Sequence, residues 1–146
     1  MEESCEFCSN EFEHTVVKEF ESWEVQLFTN QYYLGRCLVK LKRHEVDLND
    51  LKTGERQELF EDVLPELREA LRSLFDPDLY NYTSLRNDCR HFHIHVMPRY
   101  SSPRKFEGVE FFDENWNSHY KPYPSDFEID EEVFDSLMSS ISEKMS

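Results

Sequence analysis

Three histidines at alternate positions, His91, His93 and His95, are the residues whose type and spacing offer this chain the most chemistry. Phe92, Ile94 and Val96 alternate with them, and Met97-Pro98-Arg99-Tyr100 follow. Period two in an extended strand puts the imidazoles on one face and the apolar side chains on the other. The apolar face must be buried, so the strand is held rigidly while it displays three titratable rings, as a catalytic site requires. Neutral imidazole is a good nucleophile near pH 7, so covalent catalysis is one reading of this face. Metal ligation and a merely polar sheet face are the competing readings. Same-face positions lie about 6.6–6.8 Å apart, so His91 and His95 are separated by roughly 13 Å, too far to share one ion with bonds near 2 Å. Two neighbours at most could chelate together.

Cys5-Glu6-Phe7-Cys8 is a second candidate. A close-spaced thiol pair alone fits zinc, redox chemistry or two idle thiols. Cys37 and Cys89 read as small buried hydrophobes, and His14 and His119 belong to no motif.

Composition bounds the partners. The 146 residues carry 16 Lys+Arg against 31 Asp+Glu, a formal charge of −15, which argues against binding a long phosphate backbone and so against nucleic acid. A small polyphosphate remains compatible, because Arg36, Arg90 and Arg99 can create a local basic site. No stretch approaches the roughly 20 apolar residues of a membrane span, and MEESCEFC lacks the regions of a signal peptide. A cytoplasmic protein is expected, with cysteines as thiols or metal ligands rather than disulfides.

The elements that must position these residues follow from the hydrophobic pattern. HTVVKEF, SWEVQLF and GRCLVKLK read as two or three antiparallel strands between residues 14 and 42. Leu59, Phe60, Val63, Leu64, Leu67, Leu71, Leu74 and Phe75 recur at three- and four-residue steps, the stripe of one long amphipathic helix that should cover the sheet. Pro65 removes a backbone donor, so a kink or break is predicted near Asp62 to Leu64. Asp76-Pro77-Asp78 ends the helix. LYNYTSL and HFHIHVMPRY add two strands separated by a short turn. Residues 101–146 read as an irregular aromatic segment followed by a helix from about Asp130 to Met145, with Val133, Phe134, Leu137, Met138 and Ile141 on one side. The expected architecture is a single α+β domain over 1–146: an antiparallel sheet of about five strands, one long helix and a C-terminal helix.

HFHIHVM (91–97) matches at every position the His-φ-His-φ-His-φ-φ motif, φ being apolar, of the histidine triad (HIT) hydrolases and transferases. The resemblance extends through Asn81-Tyr82 and Asn87 upstream, and Pro98-Arg99-Tyr100, Trp116 and Tyr120 downstream. The chain resembles most the bacterial and archaeal proteins described as diadenosine polyphosphate hydrolases. The resemblance implies a HIT-like fold and a nucleophile at His93 that forms a covalent nucleotidyl intermediate, its other nitrogen donating to the His91 carbonyl. It also implies that His95 contacts the α-phosphate or assists the leaving oxygen, and that Asn87 lies near the scissile bridge. Asn30 falls near a ribose-binding position. Zinc-containing members use two N-terminal Cys, a His in the position of His44 and the first triad His; Cys5, Cys8, His44 and His91 would then form a closed Cys₂His₂ site, with zinc structural and residues 1–13 a zinc-binding tail. Such a site can supply on the order of 10 kcal/mol in small fingers, comparable to what a core of this size gives alone, so metal removal should loosen the tail more than unfold the domain. The implied reaction cleaves a phosphoanhydride or phosphoramidate at the α-phosphorus of a nucleotide, with Mg²⁺ entering only on a polyphosphate substrate, in a homodimer. The alternative is a zinc-stapled nucleotide-binding or interaction module with little turnover.

Two departures from the family pattern bear on substrate binding. Relatives often carry a further His where this chain has Arg36 after Gly35; Arg36 either replaces its charge or is a solvated strand residue. Arg86 precedes Asn87 where related sequences commonly have Gly, and a bulky cation there would narrow the site or grip a distal phosphate. The aromatic residues from Trp116 to Tyr123 could stack on a nucleobase or pack on the chain's own sheet.

Overall fold

Alternation of apolar and polar residues decides how the strands face. The computed structural model describes residues 5–9, 12–120 and 124–146. Strands β1 (Val16–Glu19), β2 (Trp23–Leu27) and β3 (Cys37–Leu41) come first. Helix α1 (Thr53–Glu58), a π-helical turn (Leu59–Val63) and helix α2 (Leu64–Phe75) follow. Then come β4 (Leu79–Thr83), β5 (His93–Arg99), β6 (Arg104–Phe106), β7 (Val109–Phe111) and helix α3 (Glu131–Met145). Five strands pair antiparallel in the order β1-β2-β3-β5-β4, so β5 is flanked on both sides. The fold is the expected α+β arrangement, and among the described residues no helix is long and apolar enough to cross a membrane.

One face of the sheet is apolar. Trp23, Val25 and Leu27 of β2 and Cys37, Val39 and Leu41 of β3 join Phe92 and Val96 under Leu67 and Leu71 of α2 and Leu137 and Ile141 of α3. Burying each such side chain contributes about 1.5–3 kcal/mol, which fixes strand register and hence the direction of every residue on the other face. That other face is polar yet enclosed: Glu24, Gln26, Lys40 and His93 are all buried. Residues of the N-terminal segment cover it, with Phe7 and Cys5 packed on Leu38. Lys40 Nζ donates to the Phe7 carbonyl at 3.0 Å and faces Glu24 Oε2 at 3.7 Å, which ties the segment down.

The long helix is broken as Pro65 predicts, but as a π turn rather than a plain kink. Leu64 N–H reaches the Leu59 carbonyl five residues back, so the chain is already under-wound where Pro65 offers no donor. The extra residue rotates Phe60 out of the stripe; it is 66% exposed, while Leu59, Val63, Leu67 and Leu71 are buried. Asp76 takes a left-handed conformation (φ 47°) and ends α2.

Two further expectations need correction. The connection from β4 to β5 is no short turn but residues 84–92, because His91 and Phe92 do not join the strand ladder: Phe92 N–H donates to the Glu45 carbonyl at 2.7 Å. The segment read as irregular contains the β6–β7 hairpin, turned by Glu107 (φ 50°) and Gly108 (φ 78°), the double positive φ of a tight hairpin turn. Of the expected zinc-binding tail, residues 1–4, 10 and 11 lie outside the described residues, as does Tyr123 of the aromatic cluster.

Candidate active site and metal-ligand cluster

Each triad histidine has one ring nitrogen claimed by a group that can only accept or only donate, which fixes its tautomer. His91, just ahead of β5, places Nε2 2.6 Å from the Leu41 carbonyl. A carbonyl only accepts, so Nε2 carries the proton and Nδ1 keeps a lone pair. That Nδ1 lies 3.3 Å from Cys5 Sγ, 3.6 Å from Cys8 Sγ and 3.1 Å from His44 Nδ1. Cys8 Sγ and His44 Nδ1 are 3.3 Å apart, and all four ligand atoms fall within 4.8 Å of one another. Tetrahedral bonds of 2.0–2.3 Å to nitrogen and sulfur separate ligand atoms by roughly 3.3–3.8 Å. The donor set and its spacing therefore fit a four-coordinate zinc ion. Burial holds the His91 pKa below its ordinary value, favouring the neutral ring that ligation needs.

His93 is turned the other way. Its Nδ1 lies 2.7 Å from the His91 carbonyl, so Nδ1 carries the proton and Nε2 the lone pair. Burial lowers its pKa, with Arg86 adding to the effect, so the ring is neutral and nucleophilic near pH 7. Ser84 Oγ donates to the His93 carbonyl at 2.7 Å, fixing the backbone on the β4 side. His95 is held by Arg36, whose guanidinium nitrogen lies 3.0 Å from Nδ1. Guanidinium only donates, so His95 Nδ1 accepts and Nε2 carries the proton. Burial, then Arg36, then His93 push the His95 pKa down to about 3.

Aromatic rings set the walls. Phe7 stands edge-on to both His91 (5.5 Å between centroids) and His93 (5.1 Å), a wedge between metal-ligand cluster and triad. His93 and His95 are 5.3 Å apart. Phe28 packs edge-on to His95 and carries the Arg36 guanidinium over its face at 4.2 Å. His93 and His95 open into a cavity of about 290 Å³ that Arg36, Arg86 and Asn87 also line. One neutral nucleophile, one neutral N–H donor and two guanidinium groups around a small cavity can attack and hold a phosphoryl group.

The predicted site residues are not all brought together. Cys5, Cys8, His44 and His91 form one cluster, and His93, His95, Arg36 and Asn87 the adjoining cavity. Arg36 is buried, so the solvated reading does not hold. Asn30 lies elsewhere: its Nδ2 donates to the Pro124 carbonyl at 3.0 Å and its Oδ1 accepts from Tyr32 N–H at 3.0 Å, tying residues 124–127 to the β2–β3 connection. Arg86 adopts φ 55°, the left-handed region that glycine enters freely, at the position where related sequences commonly carry Gly. Its guanidinium lies over the Phe92 ring at 5.2 Å. Phe7, Phe28 and Lys40 were not singled out in the sequence; only the place of Phe7 inside the Cys5–Cys8 spacing could have pointed to it.

A family model, the HIT domain, matches residues 9–102. Among solved structures, a hypothetical histidine triad nucleotide-binding protein of Sulfolobus tokodaii is similar with a TM-score of 0.68 and 21% identity, covering 97% of this chain and 91% of that one. A Zn-bound histidine triad family protein of Mycobacterium smegmatis gives 0.65 and 20%, covering 97% and 95%. A HIT family protein of Bacillus anthracis gives 0.63 and 23%, covering 98% of each. No curated protein matches the chain. The structural likenesses, all under 25% identity, speak for the fold, and the domain match takes in more than half of the sequence. On those grounds this chain belongs to the histidine triad family.

Proposed function

We propose that this chain is a nucleotide hydrolase that cleaves phosphoanhydride or phosphoramidate bonds at the α-phosphorus, with His93 as covalent nucleophile and diadenosine polyphosphates or related nucleotides as substrates. The observation that carries the reading is the fixed tautomer of His93: its Nδ1–H is spent on the His91 carbonyl, leaving the Nε2 lone pair in a cavity with two guanidinium groups. Nε2 attacks the α-phosphorus, and the bond to the leaving oxygen or nitrogen breaks with its electron pair going to the leaving group. A departing polyphosphate needs no proton; an amine takes one from water. The nucleotidylated ring is cationic, and the His91 carbonyl stabilises it through Nδ1–H. Water then attacks phosphorus, gives its proton to solvent, and returns the N–P electron pair to Nε2. His95 takes part as a hydrogen-bond donor through Nε2–H, not as an acid. Asn87, exposed and lining the same cavity, is the side chain that meets the bridging atom in this reading.

Zinc, held by Cys5, Cys8, His44 and His91, supplies a cross-link between the N-terminal segment and the start of β5 rather than chemistry. Mg²⁺ enters only with a polyphosphate substrate. Cytoplasmic residence and a homodimer of single-domain chains belong to the same reading; light scattering tests the dimer.

Mass spectrometry of protein quenched during turnover of diadenosine tetraphosphate and of adenosine phosphoramidate tests the chemistry. A nucleotidyl adduct on wild type, absent with activity from His93→Ala, is expected. Tight nucleotide binding without turnover of either compound would instead favour the binding-module reading.

A further inference from the structure

Beside the triad cavity lies a second one, about 610 Å³, between β4 and residues 116–120. Thr83 and Tyr120 line both cavities, so the two adjoin. We infer that this second cavity is a binding site for the nucleoside of the leaving group, a deepening that rests on the α-phosphorus chemistry proposed above.

Three observations support it. The wall is built rather than incidental: the buried Arg99–Asp113 ion pair (Nε to Oδ2 2.7 Å) clamps the turn that bears Trp116. Arg99 also donates to the carbonyls of Asn115 (2.8 Å) and Ser118 (3.3 Å) and to Asn81 Oδ1 on β4 (2.8 Å). The guanidinium is thus consumed in holding the turn across the sheet. Second, the lining suits a planar heterocycle: Trp116 and Tyr120 supply rings beside Asn81, whose Oδ1 accepts from Arg99, while Tyr80 and Tyr82 border the cavity from the α2 side of β4, where Tyr80 Oη donates to the Arg68 carbonyl. Third, no Asp or Glu lines this cavity, although 31 of the 146 residues are acidic. An anionic chain running from His93 past Thr83 and Tyr120 meets no like charge from that wall.

A dinucleotide needs two nucleoside sites flanking the reacting phosphorus. The 290 Å³ of the triad cavity sits at the lower end of small-molecule sites and accommodates only one of them. Ring stacking reads the second without demanding one particular base, since every base presents a π face.

The test separates leaving group from retained nucleotide. Diadenosine tetraphosphate and adenosine phosphoramidate share the retained nucleotide but differ in what departs. Trp116→Ala should lower kcat/KM for the first roughly tenfold more than for the second, and Trp116→Phe should restore the wild-type ratio. Equal losses on both substrates would place the retained nucleoside there, and unchanged kcat/KM for both would leave the cavity without this role; either overturns the inference. A readout independent of turnover guards against failure of the underlying reading. Of the two tryptophans, Trp23 is fully buried and Trp116 half-exposed, so ligand quenching reports Trp116. In His93→Ala protein, diadenosine tetraphosphate should quench that emission and AMP should not. Loss of turnover in wild type with quenching retained would sink the hydrolase and keep the site. Absence of quenching would sink the site.

Discussion

His91 and His93 stand two residues apart and are prepared for opposite tasks. The Leu41 carbonyl takes the Nε2 proton of His91 and turns its Nδ1 toward two thiols and His44. The His91 carbonyl takes the Nδ1 proton of His93 and leaves Nε2 to the cavity. Identical side chains thus acquire distinct roles from the single backbone acceptor each one meets. The acceptor for His93 belongs to His91 itself, so the proposed ligand and the proposed nucleophile are coupled through one peptide unit.

The largest effect expected follows from breaking that coupling at either end. His93→Ala should abolish turnover, by roughly 10⁴-fold or more, with metal content by elemental analysis unchanged. His91→Ala should lose both metal and turnover. Metal that followed His93 instead would invert the comparison.

Next in size is removal of a candidate ligand that touches neither His93 nor His95. Cys5→Ser should release the metal and lower activity about 10–100-fold, because Phe7 and the His91 backbone lose their anchor while α2, α3 and the sheet core stay intact. Far-UV circular dichroism should barely change. Global unfolding on metal loss would show that the core does not stand alone.

A smaller effect sharpens the role of His95. Its folded pKa, about 3, lies below the ordinary value of 6.5. Between those values the unfolded chain binds a proton that the folded one refuses, so this ring contributes a loss of stability as pH falls from about 6.5 toward 3. Arg36→Met removes the second of the causes, leaving burial and His93, so the His95 pKa should rise part of the way and the acid-side loss should shrink. NMR titration of the ring and denaturant midpoints at pH 7 and pH 4 measure both. A ring that titrates unchanged would show that Arg36 does not set its tautomer.

The smallest effect concerns Arg86→Gly. Glycine relieves a left-handed backbone worth about 1–2 kcal/mol, while losing the guanidinium over Phe92 costs about 0.5–1 kcal/mol. Net stability should rise by no more than about 1.5 kcal/mol, and KM for a polyphosphate should rise with the lost cation. A destabilised variant would show that the cation–ring contact outweighs the strain.

The sheet and both helices could be read from the chain because burial imposes periods: two through His93 to Val96, three and four from Val63 to Phe75. The triad was legible for the same reason, and the four metal-ligand residues through the motif they resemble. Phe60 was misplaced because a stripe counted at 3.6 residues per turn cannot foresee a π turn upstream of Pro65. The β6–β7 hairpin escaped notice because its strands are three residues long and Glu107-Gly108 is a weak turn signal. Asn30 and Arg36 show what spacing cannot supply. One is drawn to residues 124–127 and the other to His95, choices made by tertiary contacts across 94 and 59 positions of sequence.

The edge-on contacts of Phe7 with His91 and His93 have a thermodynamic consequence. A single hydrocarbon ring packs against both His91 and His93, so whatever draws the four donor atoms together also settles that ring against His93. If a metal fills the cluster as proposed, its occupancy and the dryness of the His93 cavity form one linked equilibrium, carried by a segment to which the main core owes little.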